Sequence, residues 1–299
     1  MTTPPHNWTA EKSEELYNLS AWGQPFFRIS PEGNLTVSPD GPAGDAIDLP
    51  KLIGEIRRRG VAAPLLLRFD GILRARVRQI NTAFNRARRE YDYRAPYQGV
   101  YPIKVNQERH VVEALLAEGR SYNMGLEVGS KPELIAGISI QAGGAALMIC
   151  NGYKDHEYVE MALLASHLGI TAVLVVEKLT ELDTILAASD RLGIQPVIGV
   201  RSKLTTRGSG RWKDSAGDRS KFGLTAREIV AVTETLQERG MLPCLRLLHF
   251  HIGSQITQIR SLKQALREAT NIFVGLNELG CKIDWFDVGG GLGVNYEGD

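Results

Sequence analysis

The chain has 299 residues, enough for one large α/β domain or two ordinary ones with a substantial core. Its 35 basic and 34 acidic residues leave a net charge of +1, so there is no global electrostatic case for nucleic acid or a membrane surface. Cys150, Cys244 and Cys281 lie far apart without metal-ligand spacing, as reduced thiols of a cytoplasmic protein do, and the longest apolar stretch (Leu134 to Cys150) is broken by Gly137, Gln141, Gly143 and Gly144, so it is no membrane span.

Residues 1–63 read as an N-terminal segment with short β-strands. It begins polar, without the apolar core of a signal peptide. Trp22–Ile29 and Asn34–Val37 are predicted to flank the turn Ser30-Pro31-Glu32-Gly33. Pro64–Phe69 is predicted as a further strand. A helix follows from about Gly71 to Tyr91, with Leu73, Val77, Ile80, Phe84, Ala87 and Tyr91 on one face. Arg74, Arg76, Arg78, Arg86, Arg88 and Arg89 fall off that face. No aromatic residues interleave with them, so a solvated flank is preferred to a nucleic-acid surface.

From Val100 onward one unit recurs: a short strand, a capped amphipathic helix, a glycine, then the next strand. The predicted strands are Tyr101–Val105, Tyr122–Val128, Ala146–Cys150, Ala172–Glu177, Pro196–Arg201, Leu245–Ile252 and Trp285–Val288. Gly119, Gly169, Gly193, Gly240 and Gly280 are placed just past helix ends, where a left-handed residue is needed. Ser130 with Glu133 and Thr225 with Glu228 have capping-box spacing, and Asp155 and Thr180 are further candidate N-caps. Alternating strands and helices imply parallel pairing, which both an open doubly wound sheet and a closed barrel satisfy. Seven strand–helix starts fit a (β/α)8 TIM barrel lacking its last unit better than an open sheet, with residues 64–299 as that barrel. The insertion Ser202 to Ser220 reads as a flexible surface loop or, following a strand end, as a lid.

In a barrel, chemistry gathers at the C-terminal ends of the strands. Those ends carry Lys104, Glu127, Asn151, Glu177, Arg201, His251 with Ser254, and Gly289-Gly290-Gly291. A lysine ending a buried strand loses water, which lowers its pKa and suits an amine that condenses with a carbonyl; the plainer alternative is a lysine that snorkels to solvent. The glycine run lets backbone N–H groups approach an anion. It follows the seventh strand, so a phosphate cradle fits better than a dinucleotide fingerprint. His249 and His251 share one face of a strand. A metal pair lacks a nearby third ligand, and a structural or ring-stacking role is preferred. Glu133 is explained by helix capping; Glu127, in an apolar strand, is not.

Five motifs occur in order: Tyr101-Pro102-Ile103-Lys104-Val105-Asn106, Gly125 to Glu133, Ser220-Lys221-Phe222-Gly223, His249-Phe250-His251-Ile252-Gly253-Ser254 and Asp287 to Gly291. Together they resemble the pyridoxal-phosphate decarboxylases of the alanine-racemase-like barrel type, over the whole length of the chain. Ser20 to Ile29 and Ile149-Cys150-Asn151-Gly152-Tyr153-Lys154-Asp155 are similar to the arginine-decarboxylating branch of that family. The resemblance implies pyridoxal 5′-phosphate held by Lys104, with His251 against its ring and Ser254 and Gly289, Gly290 and Gly291 at its phosphate. It implies Arg201 near the cofactor, Glu127 as a catalytic acidic residue, and Asp287, Val288, Leu292 and Gly293 on the substrate side. Mg2+ is a further ion that it suggests. It implies decarboxylation of L-arginine to agmatine in polyamine biosynthesis, by a homo-oligomer with no nucleic-acid or membrane partner. Diaminopimelate or ornithine decarboxylation, or a non-catalytic cofactor-binding barrel, are the alternatives. The family continues with an eighth strand and a C-terminal β domain, so the chain is expected to be an N-terminal portion of a longer enzyme and inactive alone. Its early β segment would belong to that β domain.

Overall fold

The computed structural model describes residues 8–141, 146–205 and 221–295. The lid expected at Ser202 to Ser220 falls mostly outside them. The chain divides into two units, one of residues 1–97, 109–121 and 295–299 and one of residues 98–108 and 122–294.

In the first unit, helices α1 (Ala10–Leu16) and α2 (Leu19–Trp22) precede a three-stranded antiparallel sheet, β1 (Phe27–Ile29), β2 (Leu35–Val37) and β3 (Ile47–Asp48). Trp22 is therefore helical, and the first predicted strand is confined to its last three residues. Asp48 caps helix α3 (Leu49–Arg58) by accepting from the Lys51 N–H at 3.0 Å. The strand predicted at Pro64–Phe69 does not form: the segment has no strand partner among the described residues. The long helix is present as α4 (Asp70–Glu90), but its buried line runs through Gly71, Val77 and Asn81, while Ile80, Phe84 and Tyr91 stay exposed. The apolar repeat located the helix and only part of the face it buries; α4 packs against α5 (Arg109–Gly119), with Arg78 pairing with Glu118 at 3.0 Å. Arg76 lies over the Phe26 ring and Arg88 donates to Asn85. These arginines act as partnered helix flanks.

The second unit holds a seven-stranded parallel sheet in strict sequence order: β4 (Val100–Pro102), β5 (Gly125–Val128), β6 (Ala146–Cys150), β7 (Ile170–Val176), β8 (Val197–Arg201), β9 (Leu245–His249) and β10 (Trp285–Asp287). Sequence-order pairing without a reversal is the arrangement of a barrel wall, not of a doubly wound sheet. Among the described residues the wall is a curled barrel of seven strands in which β4 and β10 each pair on one side only. Helices α6 (Lys131–Gln141), α7 (His156–Leu164), α8 (Leu179–Leu192), α9 (Ala226–Glu238) and α10 (Ile259–Glu278) link successive strands.

Strand alternation sorts the side chains. Leu147, Ile149, Val173, Val175 and Leu247, with Val100, Val197 and Trp285, form one cluster on the inner face. Leu126, Val128, Met148, Leu174, Val176, Ile198, Val200 and Leu248 are fully buried on the other face, as expected of parallel strands covered by helices.

Capping follows the sequence with two corrections. Asp155 and the Thr225–Glu228 box cap α7 and α9. The carboxylate of Glu133 reaches back to the Gly129 N–H at 2.7 Å. Helix α8 starts after Lys178 rather than Thr180; the Glu181 carboxylate accepts the Glu177 N–H at 2.8 Å there. Gly169, Gly193, Gly240 and Gly280 take positive φ, but Gly119 is still helical, and Asn123 (φ 53°) makes the left-handed turn instead. No helix among the described residues is long and apolar enough to cross a membrane. The three cysteines are buried and free, and burial pushes the Cys150 thiol up to about 11.

Candidate active site

The alternation that builds the inner apolar cluster continues by steps of two toward the strand ends. It carries Glu127 on β5, Glu177 just past β7, Arg201 on β8, His249 on β9 and Asp287 on β10 to the same face. Arg201, His249 and Asp287 stand in one register row across three strands. A polar rim thus follows directly from strand periodicity above an apolar floor.

Lys104 reaches this rim by another route. Strand β4 ends at Pro102, not Val105, and Ile103–Val105 form a 3-10 turn that buries Ile103 and turns Lys104 outward. The lysine side chain is 63% exposed, so the desolvation expected of a strand-end amine is absent. Its Nζ donates to Glu127 Oε1 at 3.1 Å, and that carboxylate is only 15% exposed. An accessible amine beside a half-buried carboxylate can condense with a carbonyl and exchange a proton locally.

His251 lies beyond β9, which ends at His249 rather than at Ile252. Crowding by protein atoms pushes the His251 imidazole down to about 4, helped by the neighbouring Arg201, His249 and Lys104 and opposed by Asp287, although the residue keeps an open side toward solvent. The ring is therefore neutral near pH 7 and suited to lie against another flat ring rather than to act as a cation. His249 is buried, and its Nδ1 lies 2.9 Å from Asp287 Oδ2 without the alignment of a hydrogen bond. Asp287 Oδ1 accepts the Gly289 N–H at 2.9 Å. Burial opposes ionisation of Asp287, but His249 and the Gly289 N–H outweigh it and hold the carboxyl below its usual range.

The glycine run is a preformed cradle. Gly289 and Gly291 take φ of +69° and +90°, and a Cβ on either would strike the carbonyl oxygens of Phe250 (2.6 Å) and Gly253 (2.1 Å). A Cβ at Gly290 would meet nothing within 4 Å, which leaves open space above the turn. The Ser254 loop is stapled alongside: Ile256 N donates to Gly291 O at 2.8 Å, Gly293 N donates to Ile256 O at 3.0 Å, and Gln255 makes two hydrogen bonds to the Val294 backbone. Ser254 Cα lies 3.1 Å from the position a Gly291 Cβ would take, so the exposed serine borders the cradle. Leu292 is exposed and bridges to Ile256, whereas Val288 packs in the cluster of Phe250, Ile252 and Ile256.

Amine, neutral imidazole, guanidinium and anion cradle meet the demands of a phosphorylated aromatic aldehyde, so the residues present fit pyridoxal phosphate. Among the described residues no group of three or more His, Cys, Asp or Glu stands where it could hold a metal ion.

Sequence reasoning missed two features here. The His249–Asp287 pair could have been found from alternation, since each lies two residues past a core position. The buried Lys154, in the loop after β6, gave no local signal. Its side chain is 0% exposed, its Nζ donates to Gly152 O at 2.6 Å, and Glu181 Oε2 lies 3.6 Å away.

An accessible lysine and a glycine cradle on a parallel barrel rim define a cofactor-binding barrel of the pyridoxal-phosphate type. Residues 77–299 match the family model described as "Pyridoxal-dependent decarboxylase, pyridoxal binding domain", and the chain belongs to that family. It is 50% identical over 296 residues to the biosynthetic arginine decarboxylase of Thermosynechococcus vestitus, covering 99% of this chain and 46% of that protein. The biosynthetic arginine decarboxylase of Gloeobacter violaceus is also 50% identical, over 98% of this chain and 45% of that protein. The crystal structure of the biosynthetic arginine decarboxylase from Campylobacter jejuni superposes with a TM-score of 0.84 at 34% identity, covering 94% of this chain and 46% of that one. The chain thus spans about half the length of the curated relatives it matches.

Proposed function

We propose that this chain supplies the cofactor-binding barrel of an enzyme that decarboxylates L-arginine to agmatine and CO2 in polyamine biosynthesis. In this reading the barrel domain spans residues 64–299, its strand wall beginning at Val100, and residues 1–63 are its β-containing N-terminal segment. The observation that carries the reading is the accessible Lys104 beside Glu127, on the rim that also holds His251 and the glycine cradle. Similarity to proteins named arginine decarboxylase supports arginine over ornithine or diaminopimelate.

When bound, pyridoxal phosphate supplies an electron sink for the electron pair left as the α-carboxylate departs as CO2. Lys104 would hold the cofactor through its accessible Nζ amine. Glu127 keeps the Lys104 amine oriented and takes or returns its proton. His251, neutral near pH 7, would lie against the cofactor ring. Ser254 and the turn of Gly289, Gly290 and Gly291 would receive the phosphate, with Gly289 shaping the turn while its own N–H stays on Asp287, and Arg201 would lie near the cofactor. The segment Asp287, Val288, Leu292 and Gly293 borders the substrate. A cytoplasmic homo-oligomer without nucleic-acid or membrane partners belongs to this reading, and Mg2+ enters it only as an ion that the family resemblance suggests.

Competition among arginine, ornithine, lysine and diaminopimelate on the complete protein tests the substrate. Arginine is expected to lead by about a hundredfold in kcat/KM, the discrimination that ~3 kcal/mol supplies. Equal turnover of ornithine or diaminopimelate would keep the barrel and remove arginine.

A further inference from the structure

Four charged side chains, running from the rim inward, take no part in the chemistry above as reactants. Arg201 Nη1 donates to Glu177 Oε1 at 3.2 Å, with the two side chains 15% and 1% exposed. The same Glu177 oxygen accepts the Gly152 N–H at 3.0 Å, and the Gly152 carbonyl accepts from Lys154 Nζ at 2.6 Å. Lys154 in turn faces Glu181, whose carboxylate accepts the Lys154 and Glu177 backbone N–H groups. Two cations and two anions cancel, and the Arg201–Glu177 end lies on the rim while Lys154 and Glu181 lie behind it. On its other side the Arg201 guanidinium carbon lies 5.2 Å from the centroid of the Phe222 ring, and Phe222 packs on Tyr153 at 5.6 Å.

Stability alone does not account for this arrangement. Glu177 Oε2 is buried with no hydrogen-bond partner among the described residues, which costs free energy. A buried ion pair replaced by apolar side chains is often neutral or more stable. What the pair supplies is direction: a guanidinium is a planar fork, and here a carboxylate holds one arm while an aromatic face limits its tilt.

We propose that Glu177 is a positioning residue that acts on cofactor binding only through Arg201, holding its guanidinium in a slot closed by Phe222. The inference rests on the reading of Arg201 as a cofactor contact. Its residues come from three loops that share little sequence proximity: Gly152 and Tyr153 after β6, Glu177 after β7, and Phe222 beyond β8.

The test is a pyridoxal-phosphate titration of the complete protein in its apo form, followed by absorbance, for Arg201→Met, Glu177→Gln and the double variant. Melting temperatures are measured alongside. Arg201→Met should raise Kd about tenfold or more, Glu177→Gln should raise it by about tenfold, and the double variant should match Arg201→Met within about twofold, because residues acting through one another are not additive. A purely structural role would lower the melting temperature and leave Kd within about twofold, overturning the inference while Arg201→Met still weakens binding. Independent action would raise Kd further in the double variant, and would overturn it too. An Arg201→Met variant with unchanged Kd removes the assignment of Arg201, and the inference with it. Should Glu177→Gln fail to fold, Glu177→Asp, one methylene shorter, is read by the same criteria.

Discussion

Two lysine–glutamate pairs in the same barrel wall have nearly the same spacing and opposite surroundings. Lys104 Nζ lies 3.1 Å from Glu127 with its side chain 63% exposed; Lys154 Nζ lies 3.6 Å from Glu181 with its side chain 0% exposed. Burial dominates the tuning of Lys154 and pushes its pKa down, against the opposing pull of Glu181 and Glu177. A buried amine that already bonds the Gly152 carbonyl has no path to a ligand, whereas Lys104 has a free approach and a carboxylate to orient it. Pair distance therefore says little about which lysine reacts. Access says most of it.

The largest consequence falls on chemistry. Lys104→Ala in the complete enzyme should lower decarboxylation by about three orders of magnitude or more, since the covalent handle is lost. Borohydride reduction of the wild-type holoenzyme followed by peptide mapping should place the pyridoxyl group on Lys104. The urea midpoint of the apo protein should hardly move, because the lysine is mostly solvated. Label on Lys154 or Lys221 would invert the comparison.

Lys154→Met should do the reverse. It leaves the Glu181 carboxylate buried without its cation, a change that costs about 3 kcal/mol, moderated by the backbone N–H groups that Glu181 keeps. Denaturant unfolding measures the loss, and borohydride should still label Lys104. A variant as stable as the parent would mean that the backbone N–H groups suffice for Glu181.

The two lysines also show what the sequence could and could not reveal. The repeat of strand, helix and glycine was legible because each unit carries its own periodicity and caps, and the rim followed from where the strands stop. Lys104 was found for a reason that fails, since desolvation was expected of a lysine that a 3-10 turn leaves exposed. Lys154 was hidden because its burial depends on Gly152 and Glu181, which strand pairing brings together across 29 positions of sequence. Short elements were lost for a related reason. Strand β3 has two residues, and α1 buries none, so neither has a pattern to read. The helix face of α4 was only partly read: Val77 of the predicted line is buried, but Asn81 is buried beside it while Ile80, Phe84 and Tyr91 stay exposed.

His251 sharpens the comparison by pH, since its surroundings include Lys104, Arg201, His249 and Asp287. Its pKa falls from 6.5 to about 4 on folding, so between those values the unfolded chain takes up a proton that the folded one refuses. Stability attributable to this residue is intact above pH 6.5, declines as pH falls through that window and levels off below about 4. His251→Gln should therefore flatten the decline between pH 6.5 and 4, measured by urea unfolding against the parent. The effect should be modest, because the side chain keeps an open side and solvent screens part of the shift. Parallel pH profiles for parent and variant would show that the imidazole is not refused its proton.

The smallest effect is expected where the contacts are shortest. Lys131 Nζ lies 2.7 Å from Asp155 and 2.5 Å from Glu157, closer than either pair above, and it belongs to the motif that runs from Gly125 to Glu133. If distance set the worth of a pair, Lys131→Ala would be the most damaging of the lysine changes. Both its partners are more than half exposed, however, and water competes for all three charges. Asp155 also keeps its other task without the lysine: it caps α7 by accepting the Tyr158 N–H at 3.0 Å. Removing Lys131 therefore leaves the helix start intact and two solvated carboxylates. Lys131→Ala should leave the urea midpoint, the cofactor affinity and the pyridoxyl label on Lys104 unchanged, at both low and moderate salt. A clear fall in midpoint that vanishes at high salt would show that this surface triad carries weight its exposure denies, and the ranking of the three lysines by burial would then have to give way to one by distance.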